Sequence, residues 1–262
     1  MAELRRLLVE PQRLTDPCSA DGILQLSREE SHYLRRVLRL RNGQSVAVVD
    51  GIGHLWEADV QVGDLLKLST PASQPAQQQS RFPLQLGLAV VVPRRGFDEL
   101  TRMSCELGID LLQPLRSQRK TPQADERPSR WQVIIRESVE QSERLWQPDL
   151  LDTVEASVFW QQSPKRSALA IASTRRPSIP DLQNFVEGLD QSFDQLWVAI
   201  GPEGGWTADE EQSAEAAGWV PVSLGDSILR TSTAAVAAAQ TMVSWRRLRS
   251  QAERAVLGSV KV

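Results

Sequence analysis

Little in this 262-residue chain can hold a metal or a crosslink: it has two cysteines, Cys18 and Cys105, and two histidines, His32 and His54. The cysteines lie far apart and form no CxxC or Cys/His cluster, so a disulfide framework is excluded by arithmetic and no metal site is expected. Long apolar runs are scarce too. Runs such as LAVVV at 88–92 are far too short to cross a bilayer, and the opening MAELRRLLVEPQRL mixes acids with arginines where a secretory leader needs an unbroken apolar stretch. These absences lead to the expectation of a reduced, cytoplasmic protein without membrane contact. Net charge is also small, at −3. That argues against a protein coated by nucleic acid over its whole surface, because phosphate binding needs local positive charge. Tyrosine occurs once against eight tryptophans. Trp131, Trp146, Trp160, Trp197, Trp219 and Trp245 sit in apolar periodic contexts and read as core rather than as platforms for bases, whereas Trp206 stands apart because it follows a glycine loop.

What the chain does contain is grouped. Arginines bunch in LRRVLRLR (34–41) and recur in PRRG (93–96) and LRSQRK (115–120), which leaves a local basic face open beside the plainer reading of a solvated surface. The stretch STPASQPAQQQSRFP (69–83) has no face to bury and marks a boundary. Before it, short alternating runs broken by RNGQ and DGIG predict a small antiparallel barrel or sheet, with a helix only at 31–40. After it, fully apolar runs at 84–92, 109–115, 168–173, 196–201 and 219–225 alternate with helix-length segments, the pattern of an α/β domain with a largely parallel sheet. The expected division is 1–72, a linker at 73–83, and 84–262. Helices are predicted at 98–107, ended by Gly108, and at about 125–146, with a polar stripe of Glu137, Gln141 and Arg144 and an i,i+4 pair between Glu140 and Arg144.

Two loops carry the chemistry. The run WVAIGPEGGWTADEEQ (197–212) takes a strand into a glycine turn and then into a helix that Thr207 and Glu210 begin as a capping box. It is neither a P-loop nor a dinucleotide fingerprint. Beyond strand ends in a parallel sheet, glycine lets backbone approach a ligand, although a tight turn alone would use the same residues. The run VSLGDSILRTSTAAVAAAQTMVSW (222–245) repeats the arrangement, and its alanine-rich helix suggests close approach of a backbone, a cofactor or a second subunit.

IGPEGGWTADE with LGDSILRTSTAAVAA, preceded by CELGIDLLQPLRSQR and ESVEQSERLWQP, resembles the bacterial small-subunit ribosomal RNA uridine N3-methyltransferase family of the SPOUT superfamily. RRVLRLRNGQSVAVVDGIGHLWEADV is similar to that family's PUA-like RNA-binding domain. The resemblance implies a trefoil-knotted α/β domain behind a PUA-like β-barrel, binding S-adenosylmethionine and methylating N3 of a uridine in 16S ribosomal RNA as a homodimer. It implies cofactor contacts, mostly through backbone and apolar surface, from Ala172, from Gly201, Pro202, Glu203, Gly204 and Gly205, from Leu224, Gly225, Ile228 and Leu229, and from Thr231, Thr233 and Ala234. Arg230 is the candidate for stabilising a uracil anion, with Glu203 either orienting substrate or holding its loop. The RNA-binding candidates are Arg6, Arg35, Arg36, Arg39 and Arg41, then Arg94, Arg95, Ser117 and Arg119, then Gln141 and Arg144. The chain departs from the family at Ser227 and Ser232, where an arginine and a glutamate are usual, and at Gly96 and Met103, where lysines are common. The first two are expected to be one lost ion pair. These changes keep open a second reading, a catalytically weak or silent RNA-binding or ribosome-assembly protein on the same scaffold.

Overall fold

The computed structural model describes residues 4–15, 22–119, 126–162, 164–189 and 193–259, with side chains as far as 252; Cys18 lies outside them, while Cys105 is buried. Contacts divide the chain into two units. One comprises the residues up to Arg81 together with Arg136–Gln147, and the other Phe82–Ile135 together with the residues from Pro148 on.

In the first unit, β1 (Arg6–Leu8), α1 (Pro11–Thr15), β2 (Ile23–Gln25) and α2 (Arg28–His32) precede β3 (Ser45–Val49), β4 (His54–Gln61), β5 (Leu65–Leu68) and the short β6 (Gln77–Gln78). The strand order is β1-β3-β4-β5-β2, with β6 on β4. All pairings are antiparallel except β1 on β3, which alternation alone does not distinguish. Period-2 patterning sets the register: Trp56, Ala58 and Val60 of β4 face the core with Val46 and Val48 of β3, and the charged residues between them face out. The predicted helix at 31–40 begins earlier, at Ser27, which forms a capping box with Glu30, and it changes to a π-turn at Tyr33–Val37. That turn buries Leu34 and exposes Arg36 and Val37, and Arg39 in a left-handed conformation follows it.

Residues 136–147, placed with the second domain by the sequence reading, belong by their contacts to this first unit. Arg136 donates to the Leu8 carbonyl and pairs with Glu30, Arg6 pairs with Glu143, and the amide of Gly53 donates to the Leu145 carbonyl at 2.9 Å. The helix ends at Gln141, so the expected i,i+4 pair with Arg144 has no helical frame. Glu140 turns inward instead, accepts the Leu8 amide at 2.9 Å and stands 3.8 Å from Arg136. Burial pushes its carboxyl up to about 7, against the opposing pull of those two groups and of the Tyr33 hydroxyl.

The second unit holds β7 (Gln85–Val91), α3 (Phe97–Leu107), β8 (Leu111–Arg116), α4 (Pro128–Gln141, its first turns), β9 (Asp149–Leu150), β10 (Val154–Glu155), α5 (Ala156–Gln161), β11 (Ser167–Ala172), α6 (Leu182–Glu187), β12 (Gln195–Ile200), α7 (Ala208–Ala216), β13 (Val220–Val222) and α8 (Thr231–Ser259). Its sheet runs β10-β8-β7-β12-β11-β13, with β9 on β8, and every pairing is parallel. Unbroken apolar runs are required because both faces are covered. Leu86, Leu88 and Val90 pack with Leu100 of α3 and with Ala235, Ala238, Ala239 and Met242 of α8; Ala89 and Val91 face the other way, into a cluster of Phe159, Trp160, Trp197, Trp206 and Trp219. Ala235, Ala238 and Ala239 therefore meet the sheet of their own chain. Trp197 lies over Gly87, where an added Cβ would stand 2.2 Å from its ring. Trp131, Trp160, Trp197 and Trp219 are fully buried; Trp146 and Trp245 are only partly so.

A carboxyl whose folded value is raised stabilises the fold fully below its unfolded value and loses that contribution as pH rises through the folded one. For Glu140 the window runs from 4.5 to about 7. Urea unfolding of the full chain should therefore show stability falling across that window, by about 3 kcal/mol for a shift of this size. Glu140→Gln should flatten that part of the profile; an identical pH slope in wild type and variant would refute the assignment.

Candidate functional site

Because β7, β12, β11 and β13 are parallel neighbours, the loops that leave their carboxyl ends gather along one edge of the second unit. The register pairs Val90 with Ile200, Ile171 with Ala199, and Ala172 with Val222. Ligands of open α/β sheets bind at this edge.

The loop after β12 turns tightly, the Gly205 amide donating to the Pro202 carbonyl at 2.8 Å while Gly205 adopts φ 71°. Trp206 folds back beneath it and donates from Nε1 to the Ala172 carbonyl at 3.1 Å. A Cβ on Gly201 would stand 3.0 Å from that nitrogen, so any other residue here would press on the Trp206 ring. Trp206 is thereby a core residue. The capping box of Thr207 and Glu210 is present and starts α7. The Thr231 hydroxyl, at the start of α8, donates to the Gly201 carbonyl at 3.0 Å.

From two strands over, beyond β7, the segment following β8 ties this loop down. The Gln118 amide donates to Glu210 at 2.8 Å, Thr207 donates to the Gln118 side chain at 3.0 Å, and Arg119 donates through Nη1 to the Gly204 carbonyl. Arg119, expected to hold an RNA phosphate, thus spends its guanidinium on the loop. Ser117, expected beside it, is 2% exposed, and its hydroxyl lies buried without a partner.

These loops enclose a cavity of about 420 Å³. Of the sequence-predicted contacts, Ala172, Gly201, Pro202 and Gly205 line it on one side, and Leu224, Gly225, Ile228, Leu229, Thr231 and Ala234 on the other. Glu203, Gly204 and Thr233 do not. Ile228 is 61% exposed, an apolar side chain left bare beside the cavity. A third loop, after β11, completes the wall with Ser173, Thr174, Arg175, Arg176, Pro177 and Ile179, all missing from the sequence reading except for the strand's last residue, Ala172. A polar bend reads as an ordinary connection; its position beyond a parallel strand was the available signal.

Thr231 also belongs to a second cleft, of about 670 Å³, lined by Arg94, Arg95, Gly96, Glu203, Arg230 and Ser232. Both candidate catalytic residues are therefore in this cleft rather than in the first cavity. Arg94, Arg95 and Arg230 are exposed. Of the departures, Gly96 and Ser232 are neighbours, a Cβ on Gly96 standing 3.6 Å from that of Ser232, whereas Ser227 lines the first cavity. In the first unit, Arg35 is spent on Asp64, Asn42 and the Gln61 carbonyl, and Arg6 on Glu143, which removes both from the free basic face. Arg36, Arg39, Arg41 and Gln141 are exposed, and Arg144 is half-buried. Among the described residues, no group of three or more His, Cys, Asp or Glu side chains converges as a metal site would, and no helix is long and apolar enough to cross a membrane.

Residues 80–243 match the model of an RNA methyltransferase domain, and residues 26–67 that of an RNA methyltransferase PUA domain. The chain is 36% identical over 231 residues to the ribosomal RNA small subunit methyltransferase E of Synechocystis, covering 87% of this chain and 74% of that protein. It is 24% identical to the protein of the same name from Bacillus subtilis, over 80% of this chain and 85% of the other. The Neisseria gonorrhoeae ribosomal RNA small subunit methyltransferase E, in a crystal structure bound to S-adenosyl methionine, superposes with a TM-score of 0.75 at 27% identity, covering 92% of this chain and 98% of that one.

The latch on the glycine loop is open to a direct measurement. Losing a charge-assisted bond at an exposed site should cost about 1 kcal/mol, so Arg119→Ala should speed amide exchange across 203–206 by about fivefold, with Arg119→Lys intermediate. Exchange unchanged by Arg119→Ala, followed by mass spectrometry on the full chain, would refute the latch.

Proposed function

The chain belongs to the RNA methyltransferase family that includes ribosomal RNA small subunit methyltransferase E, and we propose that it methylates N3 of a uridine in 16S ribosomal RNA. It is an S-adenosylmethionine-dependent ribosomal RNA methyltransferase with a PUA domain ahead of a SPOUT-type α/β domain. One observation carries the proposal further: a loop-lined cavity and a cleft edged by three arginines meet at the buried Thr231.

The residues present fit the cofactor. The cavity falls within the range of about 300–1,000 Å³ usual for small-molecule sites. It combines apolar surface at Ile200, Leu224 and Leu229 with backbone at two glycines in left-handed conformations, Gly205 and Gly225. Those glycines admit backbone where a side chain would intrude. When bound, the cofactor supplies an electrophilic methyl group on its sulfonium.

The chain's own residues then have separable tasks. The adjoining cleft receives the acceptor base and its phosphates, with Arg94 and Arg95 binding phosphate and Arg230 stabilising the negative charge that appears on the uracil as N3 loses its proton. Glu203 orients the base from the same cleft. Positioning supplies much of the rate: once the N3 proton has passed to solvent, the nitrogen lone pair takes the methyl as the carbon–sulfur bond breaks, which requires nitrogen, methyl and sulfur in line. Arg36, Arg39 and Arg41 give the PUA unit a basic surface for the same RNA, and an acceptor in ribosomal RNA fits work in the cytoplasm. We further assign a homodimer: α8 turns half-exposed Val236 and Ala237 and the 59% exposed Leu248 away from its own core, and a second copy is the partner that covers them. Sedimentation at micromolar concentration should give twice the chain mass, and a monomer would exclude the assignment.

Transfer of labelled methyl to small subunits from a strain lacking the modification, with mapping of the modified atom, tests the acceptor. N3 of one uridine is the expected product; a methyl on another atom or another RNA would overturn the assignment. Arg230→Ala should lower kcat by about 10²–10³-fold, the usual cost of removing one oxyanion-type donor, with cofactor affinity within about twofold. Gly205→Val should abolish cofactor binding while Gly204→Val, outside the cavity, only weakens it. Cofactor binding without any transfer would identify the silent RNA-binding reading as correct.

A further inference from the structure

Resting on the cofactor reading above, we infer that Arg175 and Asp226 form a paired site for the amino-acid end of S-adenosylmethionine, Arg175 holding the carboxylate and Asp226 the ammonium. The sequence leads to an expectation of contacts mostly from backbone and apolar surface, yet three charged side chains line the cavity: Arg175, Arg176 and Asp226. Arg176 is occupied, its guanidinium bonded to both Glu215 oxygens at 2.6 and 3.0 Å. Among the described residues Arg175 and Asp226 have no such partner, and both are exposed at the cavity wall. They come from different loops, those following β11 and β13, whose parent strands pair directly through Ala172 and Val222.

The backbone supports the assignment. Arg175 holds φ 62°, a conformation uncommon for a residue with a side chain, and Ser178 in the same loop holds φ 60°. Neighbours fix this loop on both sides of the arginine: the Ser173 amide donates to the Val222 carbonyl at 3.0 Å, and the Ser223 amide donates to the Pro180 carbonyl at 2.9 Å. With Arg176 paired to Glu215, one cation and one anion remain on a wall otherwise made of backbone, hydroxyl and apolar groups; they match a zwitterion, and in the cofactor that zwitterion is the amino-acid end. A guanidinium offers a fork that meets both oxygens of a carboxylate.

Calorimetry on the full chain with S-adenosylhomocysteine and with 5′-methylthioadenosine isolates the contribution, since the second ligand keeps the nucleoside and thioether but lacks the amino acid. Arg175→Asn, which tolerates the left-handed backbone, and Asp226→Asn should each weaken S-adenosylhomocysteine by about tenfold or more, the range for a bond to a charged group. Both should leave 5′-methylthioadenosine within about twofold. Equal loss of both ligands would make these residues supports of the loops and overturn the inference. Unchanged S-adenosylhomocysteine affinity with weakened RNA binding would assign Arg175 to a phosphate and overturn it as well. If the wild-type protein binds neither ligand, the cofactor reading itself fails.

Discussion

Everything at the functional edge depends on β12 lying parallel between β7 and β11. A central strand with parallel neighbours on both sides must release its loop at the same edge as theirs, and each connection must cross back over a face of the sheet. The loops carrying Arg94, Gly205 and Arg175 are therefore neighbours in space although they are about 30 to 110 residues apart in sequence. Burial on both faces is what keeps that edge in place. It also accounts for the tryptophans, because small residues such as Gly87, Ala89 and Ala199 in the strands leave depth that only large rings from Trp160, Trp197 and Trp219 fill.

Glycine-rich loops approach ligands well but do not hold themselves, since every glycine adds conformational freedom that folding must remove. Here the restraint comes from outside the loop. Arg119 binds the Gly204 carbonyl, the Gln118 amide binds Glu210, and Thr231 binds the Gly201 carbonyl. Two of these come from the strand-end segment after β8 and one from the start of α8, so the loop is held from both sides while Pro202 limits it from within. An RNA that displaced residues 117–119 would act on the cofactor loop through the same bonds.

The strands and their parallel order were legible because a strand buried on both faces can contain almost nothing but apolar residues, and 84–92, 168–173 and 196–201 are such runs. Gly108 and the Thr207 capping box were legible because caps are local. Residues 136–147 were not, because what places them is a set of distant bonds to Leu8, Gly51 and Gly53, and the polar pattern of that stretch suits a solvated helix equally well. Arg119 illustrates a different limit. An arginine that binds a carbonyl and one that could bind phosphate have the same sequence, and what Arg119 meets is a loop released two strands away. The third loop, STRRPS, was passed over for the related reason that a cavity wall made of a polar bend has no periodicity to read.

The start of α8 joins these arguments. Thr231 lines both the cavity and the cleft, Ser232 lines the cleft, and Ala234 lines the cavity while packing into the core beneath it. Three functions thus fall on one helical turn, and each needs a small side chain: a hydroxyl short enough to reach the Gly201 carbonyl, a group that leaves room at Gly96, and a methyl that neither fills the cavity nor opens the core. A leucine at 234 would gain apolar burial of about 0.8 kcal/mol for each added CH₂, but the added volume has nowhere to go except the cavity. The alanine-rich sequence that looked like an invitation to a partner is, at this turn, the consequence of a helix end shared by core, cavity and cleft.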